Sequence, residues 1–362
     1  MANLRALLDE MIERKASDLH ITVGIPAQLR IDGDIIASRS EALSPEMTVQ
    51  LAYSILTEDQ RKKFELEKEL DLSFGIQGLS RFRANVFIQR GTIAMAIRQI
   101  PFRILSFEEL GLPLVINELA ARHKGLILVT GPTGCGKTTT LSSILNKINE
   151  ERPVHVVTVE DPIEYVHRHK KSIVNQREVE NDTKTFLSAL KYILRQDPDV
   201  VLIGEMRDRD TMSAALTIAE TGHLAFSTLH TNSAQESISR IVDSFPQDQR
   251  GAILSQLAFV LEGVVCQQLV PRSSGKGRVM IAEVMVCTPA IKAVIREGKT
   301  HQIYGMIQAG QKYGMQTMNM ALMSALQMRH ITRAMALECS GDSKELEEML
   351  DRASVALAGA KR

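Results

Sequence analysis

The stretch GLILVTGPTGCGKTTTLSS, residues 125–143, joins a short apolar run, a glycine-rich turn and a segment of helical character. Gly131, Gly136, Lys137 and Thr138 fit the pattern G-x-x-x-x-G-K-[ST]. In this pattern the glycines let successive backbone N–H groups point at one phosphate chain, and the following helix adds its positive N-terminal end. The lysine reaches the β- and γ-phosphates, and the threonine hydroxyl ligates Mg²⁺. The stretch therefore predicts a nucleoside triphosphate site between a buried strand and a helix.

The sequence after residue 114 alternates between short apolar runs and helical segments. The apolar runs are GLILVTG, VHVVTVED, DVVLIGEM and HLAFSTLH. Such runs, separated by helices, are typical of a parallel sheet that helices cover on both faces. We therefore predict an α/β domain over 114–362, helical from about residue 285. A nucleotide held by the loop would lie at the carboxyl edge of its sheet.

The first hundred residues show a different pattern. Apolar residues recur at helical spacing over residues 4–12, and Asp32-Gly33 separates two apolar runs in LRIDGDII, which indicates a hairpin. The segment SRFRANVFIQRGTIAMAIRQI indicates two more strands around Arg90-Gly91. These observations predict a small α+β domain with an antiparallel sheet over residues 1–99, followed by an ordered linker over 100–113.

Carboxylates follow two of the predicted parallel strands. VVTVEDPIEYVH places Glu160, Asp161 and Glu164 after one strand, and DPDVVLIGEMRD places Glu205 after another. One carboxylate at this edge can orient the attacking water and accept its proton, and a second can hold Mg²⁺ through a water. Gly204 stands where the usual second acidic motif has Asp, so direct ligation by that Asp is lost. Glu164 is therefore the preferred residue for positioning the water.

Histidines and arginines supply further candidates. TGHLAFSTLHTNSA carries His223 and His230, which could bond the γ-phosphate region or be structural; a metal site is excluded because no third ligand has suitable spacing. Arg81 and Arg83 lie two apart on a predicted strand, hence on one face, and Arg98 ends the next strand. Such arginines form either a solvated edge or an arginine contact to the γ-phosphate.

The composition narrows the class of protein. Lys and Arg number 43 and so do Asp and Glu, which argues against a protein that binds nucleic-acid phosphates. The charged N-terminus has no signal-peptide core, and no apolar run has the length of a bilayer span. Four scattered cysteines form no C-x-x-C pair, so neither a disulfide framework nor a zinc module is expected. We predict a soluble, cytoplasmic protein.

Six segments carry a family resemblance: GPTGCGKTTT, VVTVEDPIEYVH, IVNQREV, LKYILRQDPDVVLIGEMRD, TIAETGHLAFSTLHTNSA and CQQLVPR. They resemble, in order, the motifs of the type II/IV secretion ATPase superfamily and, within it, the PilT family of twitching-motility retraction ATPases. The resemblance covers nearly the whole chain. It implies a PAS-like N-terminal domain and a RecA-like P-loop ATPase domain with a helical C-terminal part. It also implies a homohexamer in which ATP lies between the two domains.

The resemblance also assigns site residues by their positions in the family motifs. Glu164 falls in the acidic "Asp box", Glu205 in the Walker B position, and both histidines in the "His box". We therefore expect catalytic roles for Glu164, Glu205, Arg81, Arg83, Arg98 and His230. We expect nucleotide binding by Thr133, Gly134, Cys135, Gly136, Lys137, Thr138, Thr139 and His223, and Mg²⁺ ligation by Thr138 and Glu205.

The segment PAIKAVIREGK resembles the A-I-R-N-L-I-R-E motif associated with retraction. The matching residues are Ala290, Ile291, Ile295, Arg296 and Glu297, and the departures are Lys292, Ala293 and Val294. Extension and secretion ATPases of the superfamily usually carry a four-cysteine zinc insert and a longer N-terminal region, both absent here, which favours retraction.

The resemblance thus implies a motor at the cytoplasmic face of the inner membrane, peripheral to it, that acts on a pilus platform protein. The alternatives are an assembly or type II secretion ATPase, a nucleic-acid motor, and a nucleotide-binding regulator without turnover. The charge balance counts against the nucleic-acid motor, so no nucleic-acid partner is expected.

Overall fold

A computed structural model describes residues 3–31, 33–100 and 103–359, with side chains described as far as Ala353. The chain divides into two compact units. The first comprises Met1–Arg103 with Glu164–Val166, and the second comprises Ile104–Ile163 and His167–Arg362. Asp32 of the predicted hairpin turn and Pro101 and Phe102 of the predicted linker lie outside the described residues.

The first unit contains a six-stranded antiparallel sheet of order β3-β2-β1-β6-β5-β4. Its elements are α1 (Leu4–Glu13), β1 (Asp18–Ile21), β2 (Gln28–Ile31), β3 (Asp34–Ala37), α2 (Pro45–Tyr53), α3 (Glu58–Glu67), β4 (Glu69–Ile76), β5 (Ser80–Gln89) and β6 (Thr92–Ile100). The α+β class and antiparallel sheet predicted for this region are confirmed.

Local sequence explains the hairpin between β5 and β6. Arg90 and Gly91 both have positive φ, 49° and 76°. A two-residue turn of this kind matches the right-handed twist of the two strands that it joins. Along β5, Phe82 and Ala84 are buried while Arg83 is exposed, so one face of the sheet covers the core and the other is polar.

The second unit contains a seven-stranded sheet of order β13-β12-β7-β11-β10-β8-β9, in which only β13 runs antiparallel to its neighbour. Up to β11, its elements are α4 (Phe107–Leu110), α5 (Val115–Ala120), β7 (Gly125–Thr130), α6 (Lys137–Glu151), β8 (His155–Glu160), β9 (Ile173–Glu178), α7 (Phe186–Ile193), β10 (Val200–Ile203), α8 (Arg209–Glu220) and β11 (Leu224–Leu229).

The remaining elements of the second unit include the β12–β13 hairpin and the C-terminal helices. They are α9 (Ala234–Asp243), α10 (Arg250–Val260), β12 (Leu261–Pro271), β13 (Arg278–Val286), α11 (Pro289–Arg296), α12 (Ile303–Ala309), α13 (Met318–Gln327), α14 (Arg333–Cys339) and α15 (Ser343–Gly359). The helical C-terminal part predicted from about residue 285 is confirmed.

Helices cover both faces of this sheet. Leu128 of β7 belongs to one apolar cluster with residues of α7–α11, whereas the next residue, Val129, belongs to another with residues of α5 and α6. Successive residues of a strand point to opposite faces, so each strand contributes to both clusters. The predicted parallel sheet covered on both faces is therefore confirmed. None of the helices in the described ranges is long and apolar enough to cross a membrane.

Two parallel strands, β9 and β12, were not predicted. β9 contains Asn175, Gln176 and Arg177, and β12 contains the polar pair Gln267 and Gln268. Both segments therefore lack the uninterrupted apolar run that marks a strand buried on both faces.

Candidate functional site

The phosphate loop follows β7 at the carboxyl end of the parallel sheet, and α6 follows the loop. Gly131, Gly134 and Gly136 have positive φ of 138°, 77° and 90°. A Cβ on Gly131 would overlap the backbone oxygen of Gln267 and lie 2.7 Å from the sulfur of Cys135. At this position, therefore, both backbone conformation and lack of space require glycine.

The beginning of α6 is suited to an anion. Its N-cap is Gly136, which provides no side-chain capping bond, so side-chain capping does not occupy the first N–H groups of the helix. Lys137 Nζ donates to the carbonyl oxygens of Gly131, at 2.8 Å, and Pro132, at 3.2 Å. Its ammonium group therefore lies over the loop, close to where a bound phosphate chain would lie. Thr138 is the second residue of α6 and half-buried.

Three predicted site residues meet beside the loop. His230 Nδ1 lies 3.4 Å from the hydroxyl of Thr133, and its Nε2 lies 3.2 Å from Glu205 Oε1. A neutral ring with its proton on Nε2 satisfies both contacts, because Nδ1 then accepts from the Thr133 hydroxyl and Nε2 donates to the carboxylate. The imidazole thus links the phosphate loop to Glu205.

Adjacent strands bring this histidine and glutamate together. β10 and β11 are parallel neighbours with Ile203 opposite Ser227. Glu205 follows the end of β10 and His230 follows the end of β11, so both side chains lie at the same edge of the sheet. Arg207 Nε also donates to Glu205 Oε2 at 2.9 Å. Arg207 is not among the residues predicted for the site, although its place two residues after a candidate carboxylate was a usable signal.

The structure explains the glycine that replaces Asp in the second acidic motif. The N–H of Gly204 donates to the carbonyl of Val159 at 2.8 Å. A Cβ on Gly204 would lie 3.2 Å from that same oxygen and 3.4 Å from the Cα of Glu160. The close packing of this residue on β8 therefore disfavours any side chain, and Glu205 is the carboxylate that remains.

The carboxylates after β8 differ in their surroundings. Glu160 is buried and accepts hydrogen bonds from Thr158 Oγ1 at 2.6 Å and Gln176 Nε2 at 3.1 Å, so it is a structural group within the sheet. Asp161 and Glu164 are exposed in the loop that follows the strand. Glu164 therefore remains accessible to a water or a phosphate.

His223 lies at the other edge of the sheet. It precedes β11, and its carbonyl accepts from the N–H of Gly125 at the beginning of β7. Six strand residues of about 3.3 Å each separate that edge from the phosphate loop, a distance of about 20 Å. Its ring bonds the hydroxyl of Thr221 and the carbonyl of Ile218. Within one chain, therefore, the structure does not bring His223 to the loop.

The three candidate arginines share the polar face of the sheet in the first unit. Arg83 is the cross-strand partner of Arg98, and Arg81 lies two residues before Arg83. Arg81 donates to Ser73 at 2.9 Å, and Arg83 lies 4.0 Å from Asp71. The predicted common face of Arg81 and Arg83 is confirmed.

Arg98 is held by a nearly buried carboxylate. Its Nε donates to Asp18 Oδ1 at 2.8 Å, while its side chain is 71% exposed. Burial by itself would raise the pKa of Asp18, but hydrogen bonds from Ser17 and Arg98 and the charge of Arg98 lower that pKa below its usual value. Asp18 therefore stays ionised and fixes the direction of the Arg98 guanidinium.

A cavity of about 690 Å³ opens beside the phosphate loop. Cys135, Gly136 and Thr139 line it on one side, and Arg272 and Arg278 of the β12–β13 hairpin line another. Several residues of the segment 105–113 and of the segment 316–330, which contains α13, also line it. Its volume lies in the usual range for a small-molecule site, so it could hold the base and ribose of a nucleotide whose phosphates lie in the loop.

Comparisons with known proteins agree with this geometry. The family described as "Type II/IV secretion system protein" matches residues 1–333. The chain belongs to this family. A relative described as "Type IV pilus retractation ATPase PilT", from Pseudomonas aeruginosa PAO1, is 44% identical over 336 residues, which cover 93% of this chain and 97% of that protein. A "Twitching motility protein" of Neisseria gonorrhoeae is 42% identical over 321 residues, covering 89% and 86%.

One solved structure in particular supports the membership of the family. It is described as the crystal structure of the pilus retraction motor PilT and bound ADP, and it matches with a TM-score of 0.91 and 49% identity. The match covers 96% of this chain and 99% of that one. The resemblance to this family and to its retraction ATPases, inferred from the order of the motifs, is confirmed.

Within the described residues of this family member, no group of three or more His, Cys, Asp or Glu side chains could hold a metal ion by itself. Mg²⁺ needs few protein ligands when substrate phosphates supply the others.

Proposed function

We propose that this chain is an ATP-hydrolysing motor that drives the retraction of type IV pili. One observation carries the proposal. A phosphate loop, linked through His230 to Glu205, occurs in a chain that matches a pilus retraction ATPase over nearly its whole length. The match to a retraction motor with bound ADP supports nucleotide binding by the same fold.

The loop residues Thr133–Thr139 would bind the phosphates of ATP, since glycines with positive φ and an uncapped helix N-terminus fit an anion there. We assign Mg²⁺ to the Thr138 hydroxyl, with Glu205 holding it through a water. Bound Mg²⁺ would neutralise charge on the β- and γ-phosphates. The neutral imidazole of His230 would hold Glu205 and the loop in a fixed relative position, which preorganises the site before hydrolysis.

We assign the attacking water to Glu164. Its carboxylate is exposed in the loop after β8, whereas nearby Glu160 is buried and already accepts two hydrogen bonds. A carboxylate that accepts a proton in this way contributes about 10² to 10⁴ in rate.

Arginines of the first unit would couple the nucleotide state to domain position. We propose that Arg81, Arg83 and Arg98 supply the contacts to the γ-phosphate, which ADP lacks. Shifting a two-state equilibrium from 1:99 to 99:1 needs about 5.5 kcal/mol of differential binding. Charged contacts to a group that is present only before hydrolysis are a natural source of that free energy.

We further propose the finer architecture of the family for this chain. It consists of a PAS-like domain over 1–99, a linker over 100–113 and a RecA-like ATPase domain over 114–362, assembled as a homohexamer. In that hexamer, His223 would act on a nucleotide only across a contact between subunits, because within one chain it does not reach the phosphate loop. The ring would lie at the cytoplasmic face of the inner membrane and act on a platform protein of the pilus base.

Phosphate release and pilus phenotype together test this proposal. We expect ATP hydrolysis by the native chain, and a loss on the order of 10² to 10⁴ in kcat for Glu164→Gln. Asp248→Asn, which removes an exposed carboxylate from a loop of the second unit, is the control and should hydrolyse ATP normally. Near-normal turnover of Glu164→Gln would remove Glu164 from its role.

Deletion of the gene tests the direction of the motor. Loss of retraction should leave surface pili in excess. Absence of pili would instead indicate an assembly motor, and hydrolysis stimulated by DNA would indicate a nucleic-acid motor.

A further inference from the structure

Gln267 lies beneath the phosphate loop and takes no part in the chemistry described above. It belongs to β12, one residue beyond the pairing of Cys266 with Thr130 at the end of β7. There β7 turns away into the loop while β12 continues. Gln267 is 1% exposed, so its side-chain amide has to find partners inside the protein.

Both ends of this amide bond the loop and the helix after it. Nε2 donates to the carbonyl oxygen of Cys135 at 2.7 Å. Oε1 accepts from the hydroxyl of Thr140, in the first turn of α6, at 2.9 Å. The side chain therefore joins the peptide between Cys135 and Gly136 to the first turn of α6.

The bond to Cys135 fixes the direction of a neighbouring N–H group. The carbonyl of Cys135 and the N–H of Gly136 belong to one planar trans peptide, in which the two groups point in opposite directions. Gln267 draws the carbonyl toward β12, so the N–H of Gly136 points away from β12. In a phosphate loop the backbone N–H groups have to converge on the ligand, and this bond holds one of them.

Close packing of two glycines on Gln267 reinforces the same arrangement. Gly131 packs directly on the backbone oxygen of Gln267, and a Cβ on Gly136 would lie 3.3 Å from Gln267 Nε2. One residue of β12 thus contacts the loop at its first glycine, at its last glycine and at the peptide between Cys135 and Gly136.

We propose that Gln267 is a positioning residue of the nucleotide site, which sets the orientation of the Cys135–Gly136 peptide for phosphate binding. This inference rests on the proposed ATPase function of the loop. Gln267 acts on the phosphates that ATP and ADP share, so it affects the binding of both nucleotides alike and differs in this from the γ-phosphate contacts.

The test compares Gln267→Met with Gln268→Met in the full chain. Met keeps the length of Gln without its hydrogen bonds, and Gln268 is the adjacent strand residue whose side chain points to the opposite face. We expect Gln267→Met to raise the Kd of ADP and the KM for ATP about tenfold, the effect of one hydrogen bond. We expect kcat to stay within about twofold, as for an interaction lost equally from ground and transition states. Gln268→Met should match the native chain.

A second variant separates positioning from mere packing. Gln267→Glu keeps an acceptor for Thr140 but can donate to Cys135 only when its carboxyl is protonated. Its KM for ATP should therefore decrease as the pH is lowered from 8 to 6, while the native chain and Gln267→Met show no such improvement. Burial favours the protonated carboxyl, which brings its titration toward this range.

The outcomes are distinct. A tenfold weaker ADP affinity in Gln267→Met and pH-dependent recovery in Gln267→Glu support the inference. An unchanged Kd in Gln267→Met, even with a lower melting temperature, overturns it, because Gln267 is then only structural. If the native chain binds no ADP, or Lys137→Ala binds it equally well, the proposed ATPase function fails and the inference fails with it. Should Gln267→Met not fold, Thr140→Val removes the other end of the link, and an unchanged ADP affinity there also overturns the inference.

Discussion

His230 contacts Thr133 of the phosphate loop with one ring nitrogen and the carboxylate of Glu205 with the other. The two hydrogen bonds together stabilise the site more than either would alone, because each one fixes the orientation of the His230 ring for the other. We expect His230→Ala to lower kcat on the order of 10², the usual cost of one preorganised group.

The control for His230 is a double-mutant cycle. Glu205→Gln and His230→Ala should be strongly non-additive in steady-state ATPase assays, since both remove the same link. Additive losses would show that the two residues act independently. His301→Gln, which changes an exposed histidine distant in sequence from the site motifs, should hydrolyse ATP like the native chain.

His167 makes the protein sensitive to acid. Burial, and to a lesser degree the charge of Lys170, lowers the pKa of His167 to about 4, whereas an unfolded histidine titrates near pH 6.5. Between these values the unfolded chain binds a proton that the folded chain does not, so stability falls as the pH falls. We expect this residue to remove about 2 kcal/mol of the free energy of unfolding between pH 7.5 and 5.

Urea unfolding at pH 7.5, 6.5 and 5 measures this loss. His167→Gln should flatten the decrease below pH 6.5, whereas His301→Gln should retain it. An equal decrease in the native chain and in His167→Gln would assign the acid sensitivity to other groups.

At the scale of the elements, the contact between β8 and the end of β10 decides which acidic motif is possible. Asp at position 204 would match the usual second acidic motif, yet a Cβ there would lie 3.2 Å from the carbonyl oxygen of Val159. We expect Gly204→Asp to lower the free energy of unfolding by about 1–3 kcal/mol, the usual cost of overpacking, and to give no gain in kcat.

Thermal unfolding and ATPase assays check this prediction. Gly251→Asp provides the control, because nothing lies within 4 Å of its added Cβ and an acidic residue near the start of α10 is favourable. A stable Gly204→Asp variant with faster hydrolysis would contradict our account of the glycine.

The same elements show what the sequence could predict. The spacing of Gly131, Gly136 and Lys137 sufficed for the loop, since it depends on neighbours in the chain. For Glu205 and His230, the sequence could predict only that both follow strands that end at one edge of the sheet. Their contact could not be predicted, because it depends on β10 and β11 being neighbours in the sheet. The role of Gln267 could not be predicted, since its partners Cys135 and Thr140 lie 132 and 127 residues away.

At the scale of the whole molecule, a motor has to distinguish ATP from ADP. The peptides around Gly136 would not do so, because they would hold phosphates that both nucleotides share, and Lys137 would reach the γ-phosphate only together with the shared β-phosphate. The proposed discrimination therefore depends on Arg81, Arg83 and Arg98, which lie on the polar face of the other unit's sheet. Arg98 has a defined direction, because the ionised Asp18 holds its Nε.

Arg98→Lys tests this discrimination with the charge retained. Lysine cannot bond Asp18 through Nε while presenting a forked pair of donors to a phosphate. We expect kcat to fall on the order of 10³, within the range for loss of an arginine contact to the γ-phosphate, and the affinity for ADP to stay within about twofold. Arg30→Lys is the matched control, since Arg30 lies on the same sheet face 3.9 Å from the same carboxylate and should tolerate the change. Equal losses in both variants would mean that Asp18 stabilises the sheet, and a parallel loss of ADP affinity would mean that Arg98 does not read the γ-phosphate.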